Sequence, residues 1–225
     1  MKLSPLHHKH LSMGVNWAEE GGWLIPEHFG NLDSEKHHLQ SGCGIVDCSH
    51  QRKWEVVGRE SRPTLERLLQ GVALPLPGRI SMPTNQVFVA GLTSDSFLFL
   101  AEQDGPSHFA EVFSGRNLAV SCAHVTEMTS VLAGFALVGK QSRAILQKMT
   151  SLNLTDEAYP PWKCSSGSVA GVQAVLLRLA SPWEYALYVV RDYAEYLYDC
   201  LLEAGHGLGL RPVGVKAYWE MKGET

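Results

Sequence analysis

No run of about eighteen apolar residues occurs in this sequence, which excludes a membrane-spanning helix. The opening stretch, MKLSPLHHKHLSMG, lacks the apolar core of a secretory leader. Cysteine is scarce: Cys43, Cys48, Cys122, Cys164 and Cys200 are odd in number and scattered. That pattern excludes a disulfide framework and fits reduced thiols in the cytoplasm. Basic charge is not in excess either, because 19 Lys and Arg stand against 23 Asp and Glu, giving a net charge of −4. A nucleic-acid binder ordinarily gathers a basic surplus on one face, so that class is set aside. No GxSxG elbow is present, and Ser49-His50 are merely neighbours in sequence.

Other near-motifs fall short for physical reasons. Cys43, Cys48 and His50 form CxxxxCxH, but the second ligand pair of a structural zinc site is missing. His7, His8, His10, His37 and His38 read as arm or surface residues and the cysteines as core, so no metal is expected. Gly205, Gly207 and Gly209 follow a helical pattern instead of linking a strand to a helix, which fits a C-cap better than a phosphate loop. Two carboxylates stand out. Asp47 ends an apolar run, and Glu184 sits between Trp183 and Tyr185. Burial beside aromatics could raise such a pKa for proton transfer; the plainer reading is a surface or edge-strand acid.

What is present is an ordinary globular composition, 45% hydrophobic, enough for a sizeable core in one large domain or two small intimate ones. The first 26 residues show little periodicity and read as an ordered arm, neither helix nor strand. A helix is expected over 33–40, with Asp33 or Ser34 as N-cap, then β-prone runs at 44–49 and 53–58. Leu65, Leu68 and Leu69 recur at helical spacing in 60–70. LPLPGRISMP reads as a connector before strands at 86–92 and 96–102. A weaker helix is placed at 108–114, strands at 118–125 and 131–139, and a helix at 139–150. Residues 153–168, with Pro160-Pro161, read as a long polar loop. Strands at 171–179 and 183–190 and helices at 192–204 and 213–221 complete the chain. The βαββα order of the second half predicts an α+β fold with an antiparallel or mixed sheet and helices on one face.

Five ordered segments carry a resemblance. They are Gly22-Trp23-Leu24-Ile25-Pro26; Glu35 with Gly44 to His50; Trp54 to Leu69; Leu137-Val138-Gly139 with the following helix; and Arg178 with Tyr185 to Val189, Gly207-Leu208 and Pro212-Val213-Gly214. In that order they resemble the glycine-cleavage T-protein family, the aminomethyltransferases and their folate-binding relatives. The resemblance implies two interlocked α+β units, one ferredoxin-like, here 1–50 with 125–225 and 51–124. A tetrahydrofolate would lie in a central opening, bordered by Trp23, Asn85, Val87, Arg178, Trp183 and Tyr188.

The departures from that pattern concern chemistry. The family's acidic pair, one member of which works near the folate N5, matches Thr84-Asn85-Gln86-Val87; an amide cannot accept a proton at neutral pH. The pterin-binding glutamate's "GE" matches Ser181-Pro182, and a second family glutamate falls on Ala186. The late arginine falls near Trp219. The sequence stops at Thr225, short of the family's C-terminal barrel, at a size similar to the sarcosine oxidase gamma subunit. Lys222-Gly223-Glu224 lacks the cysteine of the related iron–sulfur assembly branch.

Three expectations follow: a module with weakened or lost catalysis that binds tetrahydrofolate or scaffolds a protein partner or a second copy; a working folate-dependent aminomethyl or methyl transferase; or a purely structural chain whose cleft is filled by bulky residues such as Trp183 and Trp219. Arg178 would meet a folate carboxylate or pair with Glu184.

Overall fold

A computed structural model describes residues 1–69, 71–84, 86–101, 111–113, 122–181 and 183–223. Its strands are β1 (Lys2–Leu3), β2 (Val15–Glu20), β3 (Trp23–Phe29), β4 (Cys43–Asp47), β5 (Arg52–Val57), β6 (Arg79–Thr84), β7 (Val87–Gly91), β8 (Ser96–Ala101), β9 (His124–Glu127), β10 (Leu132–Gly139), β11 (Lys163–Val169), β12 (Val172–Arg178), β13 (Glu184–Val190) and β14 (Leu210–Pro212). Its α-helices include α1 (His7–Leu11), α2 (Leu32–Ser41), α3 (Ser61–Leu68), α4 (Ser142–Gln147), α5 (Ala194–Gly205) and α6 (Val215–Lys222).

Eleven strands form one mixed sheet in the order β14-β4-β10-β13-β12-β11-β6-β7-β8-β5-β9, and β1-β3-β2 form a small second sheet. The large sheet falls into two halves. Between β11 and β6 the ladder consists of a single pair, Lys163 with Arg79, whereas β11 and β12 pair along seven positions. All other neighbours in the large sheet are antiparallel except β14 and β4, which run parallel. This is the α+β class expected.

Period-two alternation explains why both faces of each half are apolar. On β10, Ala133, Phe135 and Leu137 join the core under α4 and α5, while Ala136 and Val138 join the core with Trp23, Leu39 and Val215. On β8, Phe97 and Phe99 pack with Leu65 and Leu69 of the α3 segment, while Leu98 and Leu100 meet Leu177, Ala186 and Tyr188 of the other half. That last cluster is the seam between the two halves, and it positions the candidate site.

Several expectations are corrected. The first 26 residues are not an arm without helix or strand: they build β1, α1, β2 and most of β3. Paired strands satisfy the backbone there, which local periodicity does not reveal. The N-cap of α2 is Asn31, whose side-chain Oδ1 accepts from the Ser34 N–H at 2.9 Å. LPLPGRISMP is only partly a connector, since β6 begins at Arg79, and the supposed loop over 153–168 ends in β11. Its Pro160-Pro161 exclude a ladder only up to that point. The second half therefore reads βαβββα. The expected helix over 139–150 is regular only as α4. Of the helix placed at 108–114, residues 111–113 are helical and the others lie outside the described residues; the strand placed at 118–125 overlaps the described β9 only at 124–125.

Close approach requires glycine at position 214. A Cβ on Gly214 would lie 2.0 Å from the backbone oxygen of Glu27. The Gly214 N–H donates to Glu35 Oε2 at 2.9 Å, and the Phe29 N–H donates to Glu35 Oε1. Buried Glu35 thus ties β3 to the start of α6, which the motif reading alone does not explain.

Candidate functional site

At the seam, the two halves close on a small cavity. Its lining includes Cys48, Gln51, Phe88, Leu100, Ala186, Tyr188, Tyr218 and Lys222. Its volume is about 20 Å³. That is room for roughly one water. Pockets for small organic ligands run to roughly 300–1,000 Å³.

Three side chains, Tyr188, Tyr218 and Lys222, take up the space. Tyr188, on β13, donates its hydroxyl to Gln51 Oε1 at 3.0 Å. Tyr218, on α6, donates its hydroxyl to Glu184 Oε1. Lys222, one turn on at i+4, lies 3.6 Å from the same carboxylate oxygen and 3.4 Å from the Tyr218 hydroxyl. Its ammonium stands 5.6 Å from the Phe88 ring centroid and 5.1 Å from that of Tyr218. A cation within about 6 Å of an aromatic face is attracted by the ring quadrupole. Lys222 therefore touches both halves of the sheet.

No carboxylate lines the cavity among the described residues. Ala186, where the resemblance puts a family glutamate, presents a methyl group there. Glu184 is not a surface or edge acid, since it is buried on β13 between β10 and β12. Asp47 is buried too. Burial pushes its carboxyl upward, but hydrogen bonds from His10, Ser4 and Ser49 and the His10 charge prevail and bring it to about 2. Asp47 is thus an ionised acceptor and a weak base at neutral pH. Burial drives His50 down to about 4, helped by the Lys53 charge and opposed by Asp47. It is neutral near pH 7. Lys53, fully buried, donates to Ser49 O at 2.9 Å and Gln51 O at 2.7 Å.

Of the six residues expected to border a folate, Tyr188 lines the cavity. Trp23 is buried among Leu39, Val46 and Val213. Val87 belongs to the core between α3 and the other face of its half-sheet. Trp183 is half-buried at the turn before β13, where its carbonyl accepts from Gly139 N. Asn85 lies outside the described residues. Arg178 is buried and does not pair with Glu184: it donates to Tyr159 O and to Asp156 Oδ1, each at 2.5 Å. Strand alternation decides this, because adjacent strand positions send side chains to opposite faces, and Arg178 pairs in register with Tyr185, not Glu184. Trp183 and Trp219 do not fill the cavity; Tyr218, Tyr188 and Lys222 do. Sequence reasoning missed Gln51, Phe88, Tyr218 and Lys222. Only the four-residue spacing of Tyr218 and Lys222 on one helix could have drawn attention to the last pair.

No group of three or more His, Cys, Asp or Glu capable of holding a metal ion occurs among the described residues. No described helix is long and apolar enough to cross a membrane.

The profile of the GCVT N-terminal domain family matches residues 6–225. The chain belongs to this family. It is 26% identical to an aminomethyltransferase of Desulforamulus reducens and to one of Bacillus subtilis, in each case over 96% of the chain and 62% of the relative. It thus spans about 62% of the length of these relatives. Among solved structures the fold is similar to the glycine cleavage system aminomethyltransferase T from Bartonella henselae, with a TM-score of 0.76 at 19% identity, covering 96% of the chain and 60% of that protein. It is also similar to a chain of the heterotetrameric sarcosine oxidase from Corynebacterium sp. U-96, with a TM-score of 0.67 at 16% identity, covering 92% and 95%. The T-protein-like fold expected from the ordered motifs is the fold found.

Proposed function

We propose that this chain is a non-catalytic member of the aminomethyltransferase family, a scaffold subunit that keeps the tetrahydrofolate-binding fold without the reaction. The observation that carries this is the cavity at the seam, with about 20 Å³ open to water and no carboxylate among its described lining residues. A pterin needs a flat apolar slot and hydrogen-bonding partners for its ring nitrogens; here Tyr188, Tyr218 and Lys222 occupy that space and bond one another's neighbours. Aminomethyl transfer to a folate nitrogen needs a group to manage a proton. Asp47 and His50, the nearby candidates with shifted pKa values, sit far from neutrality at about 2 and about 4. Coverage of 95% of a chain from a heterotetrameric oxidase supports a role beside a partner enzyme.

Calorimetric titration with tetrahydrofolate under reducing conditions tests the ligand side. We expect no saturable heat up to about 1 mM, a limit near −4 kcal/mol, and no folate-dependent turnover of an aminomethyl donor. Saturable binding or turnover overturns the proposal. The scaffold side is tested by the native mass of the tagged chain isolated from its source. A stoichiometric complex with an enzyme subunit is expected, and a lone monomer argues against it.

A further inference from the structure

Lys222 carries an observation that the closed cleft alone does not use. Its ammonium sits between two aromatic rings contributed by different halves of the molecule, Phe88 of β7 at 5.6 Å and Tyr218 of α6 at 5.1 Å. The Glu184 carboxylate, 6% exposed, lies 3.6 Å away, and the Tyr218 hydroxyl lies 3.4 Å away. Two ring faces, a buried carboxylate and a hydroxyl oxygen are the elements of a receptor for an organic ammonium group. Lys222 lines the cavity, and its flexible four-carbon stem carries the cation to that receptor.

We infer that Phe88, Tyr218 and Glu184 form a binding box for a small alkylammonium ion, occupied in this chain by the tethered ammonium of Lys222. The side chain is its own ligand. A free amine of similar length competes poorly with it, because the tether gives Lys222 a high effective concentration. Shortening residue 222 empties the box, and a free primary amine then takes the vacated place. The carboxylate confers selectivity for the charge, and the rings confer selectivity for an organic cation over a hydrated metal ion. The box also couples the halves: the single β11–β6 pair gives the seam little backbone support, so a cation bridging Phe88 to α6 stabilises the closed arrangement.

The test is chemical rescue of the full chain. Lys222→Ala should lower the thermal midpoint by about 2–6 °C. Adding n-butylammonium chloride should restore much of that loss along a saturable curve in the millimolar range, while equimolar sodium chloride and 1-butanol should not. The unsubstituted protein should show no such rise, and Glu184→Gln combined with Lys222→Ala should abolish rescue. Equal effects of butanol and butylammonium, or rescue that survives Glu184→Gln, would show cavity filling without cation recognition and overturn the inference. If Lys222→Ala does not fold unaided, its refolding yield with butylammonium against sodium is the readout, and equal yields count against the box. Tetrahydrofolate binding by the unsubstituted chain would defeat the scaffold proposal and leave this result standing.

Discussion

His10 Nε2 and Asp47 Oδ2 meet at 3.1 Å with both side chains 1% exposed, joining α1 to the end of β4. The Ser4 hydroxyl and the Ser49 N–H donate to the same carboxylate. Facing an ionised acceptor, the His10 nitrogen is the donor. This buried carboxylate, with the packing of Leu6, Trp23 and Ile25 against the cores of the large sheet, holds the N-terminal elements in place.

Removing that carboxylate should be among the most damaging single changes. Asp47→Ala strips three donors of their acceptor inside the protein, and such disruption costs about 3–5 kcal/mol. Urea unfolding of Asp47→Ala, His10→Ala and the double variant measures the coupling. Independent, additive losses would mean that the two residues do not act as a pair.

Acid should weaken the fold well before carboxylates protonate. His50 takes a proton below about 6.5 when unfolded but only below about 4 when folded. The unfolded state thus binds more protons across that window, and stability falls as pH drops from 6.5 to 4, by about 1.4 kcal/mol per pH unit. Above 6.5 the contribution is complete. Asp47 adds its own loss lower down, as pH falls from 3.8 toward 2. Stability measured against pH should lose much of its slope between 6.5 and 4 in His50→Gln, leaving the smaller part due to His7, which burial also holds low; an unchanged slope assigns it elsewhere.

Arg178 should matter through its hydrogen bonds to the loop before β11. Hydrogen bonds from Arg178 and Arg143 hold the Asp156 carboxyl below the usual range, yet that carboxylate is 66% exposed. Asp156→Asn should therefore shift stability little. Arg178→Ala leaves the Tyr159 carbonyl without its donor and should cost about 2 kcal/mol, with faster proteolysis within 153–162. Equal effects of the two substitutions would contradict this ranking.

Much of the architecture was legible from periodicity. The α2 and α3 segments, strands β4, β5, β7, β8, β10, β12 and β13, and α5 followed from apolar spacing and turn residues, and the ordered motifs led to the T-protein-like fold. The strands that went unread, β1, β2, β3, β6, β11 and β14, are short, polar or proline-bearing, and owe their existence to neighbours across the sheet. The site was less legible. Tyr188 lines the seam cavity, but Arg178 faces away because one strand position separates the two faces.

By itself the sequence determined composition class, α+β character and family membership, because each depends on residue identity and local spacing. Only the tertiary structure decided that Glu184, 34 positions from Tyr218, becomes its buried acceptor, and that Lys222 reaches Phe88 across the seam. Those partnerships join strands and helices far apart in the chain, and their energies arise from burial and geometry that exist only once the two half-sheets have closed.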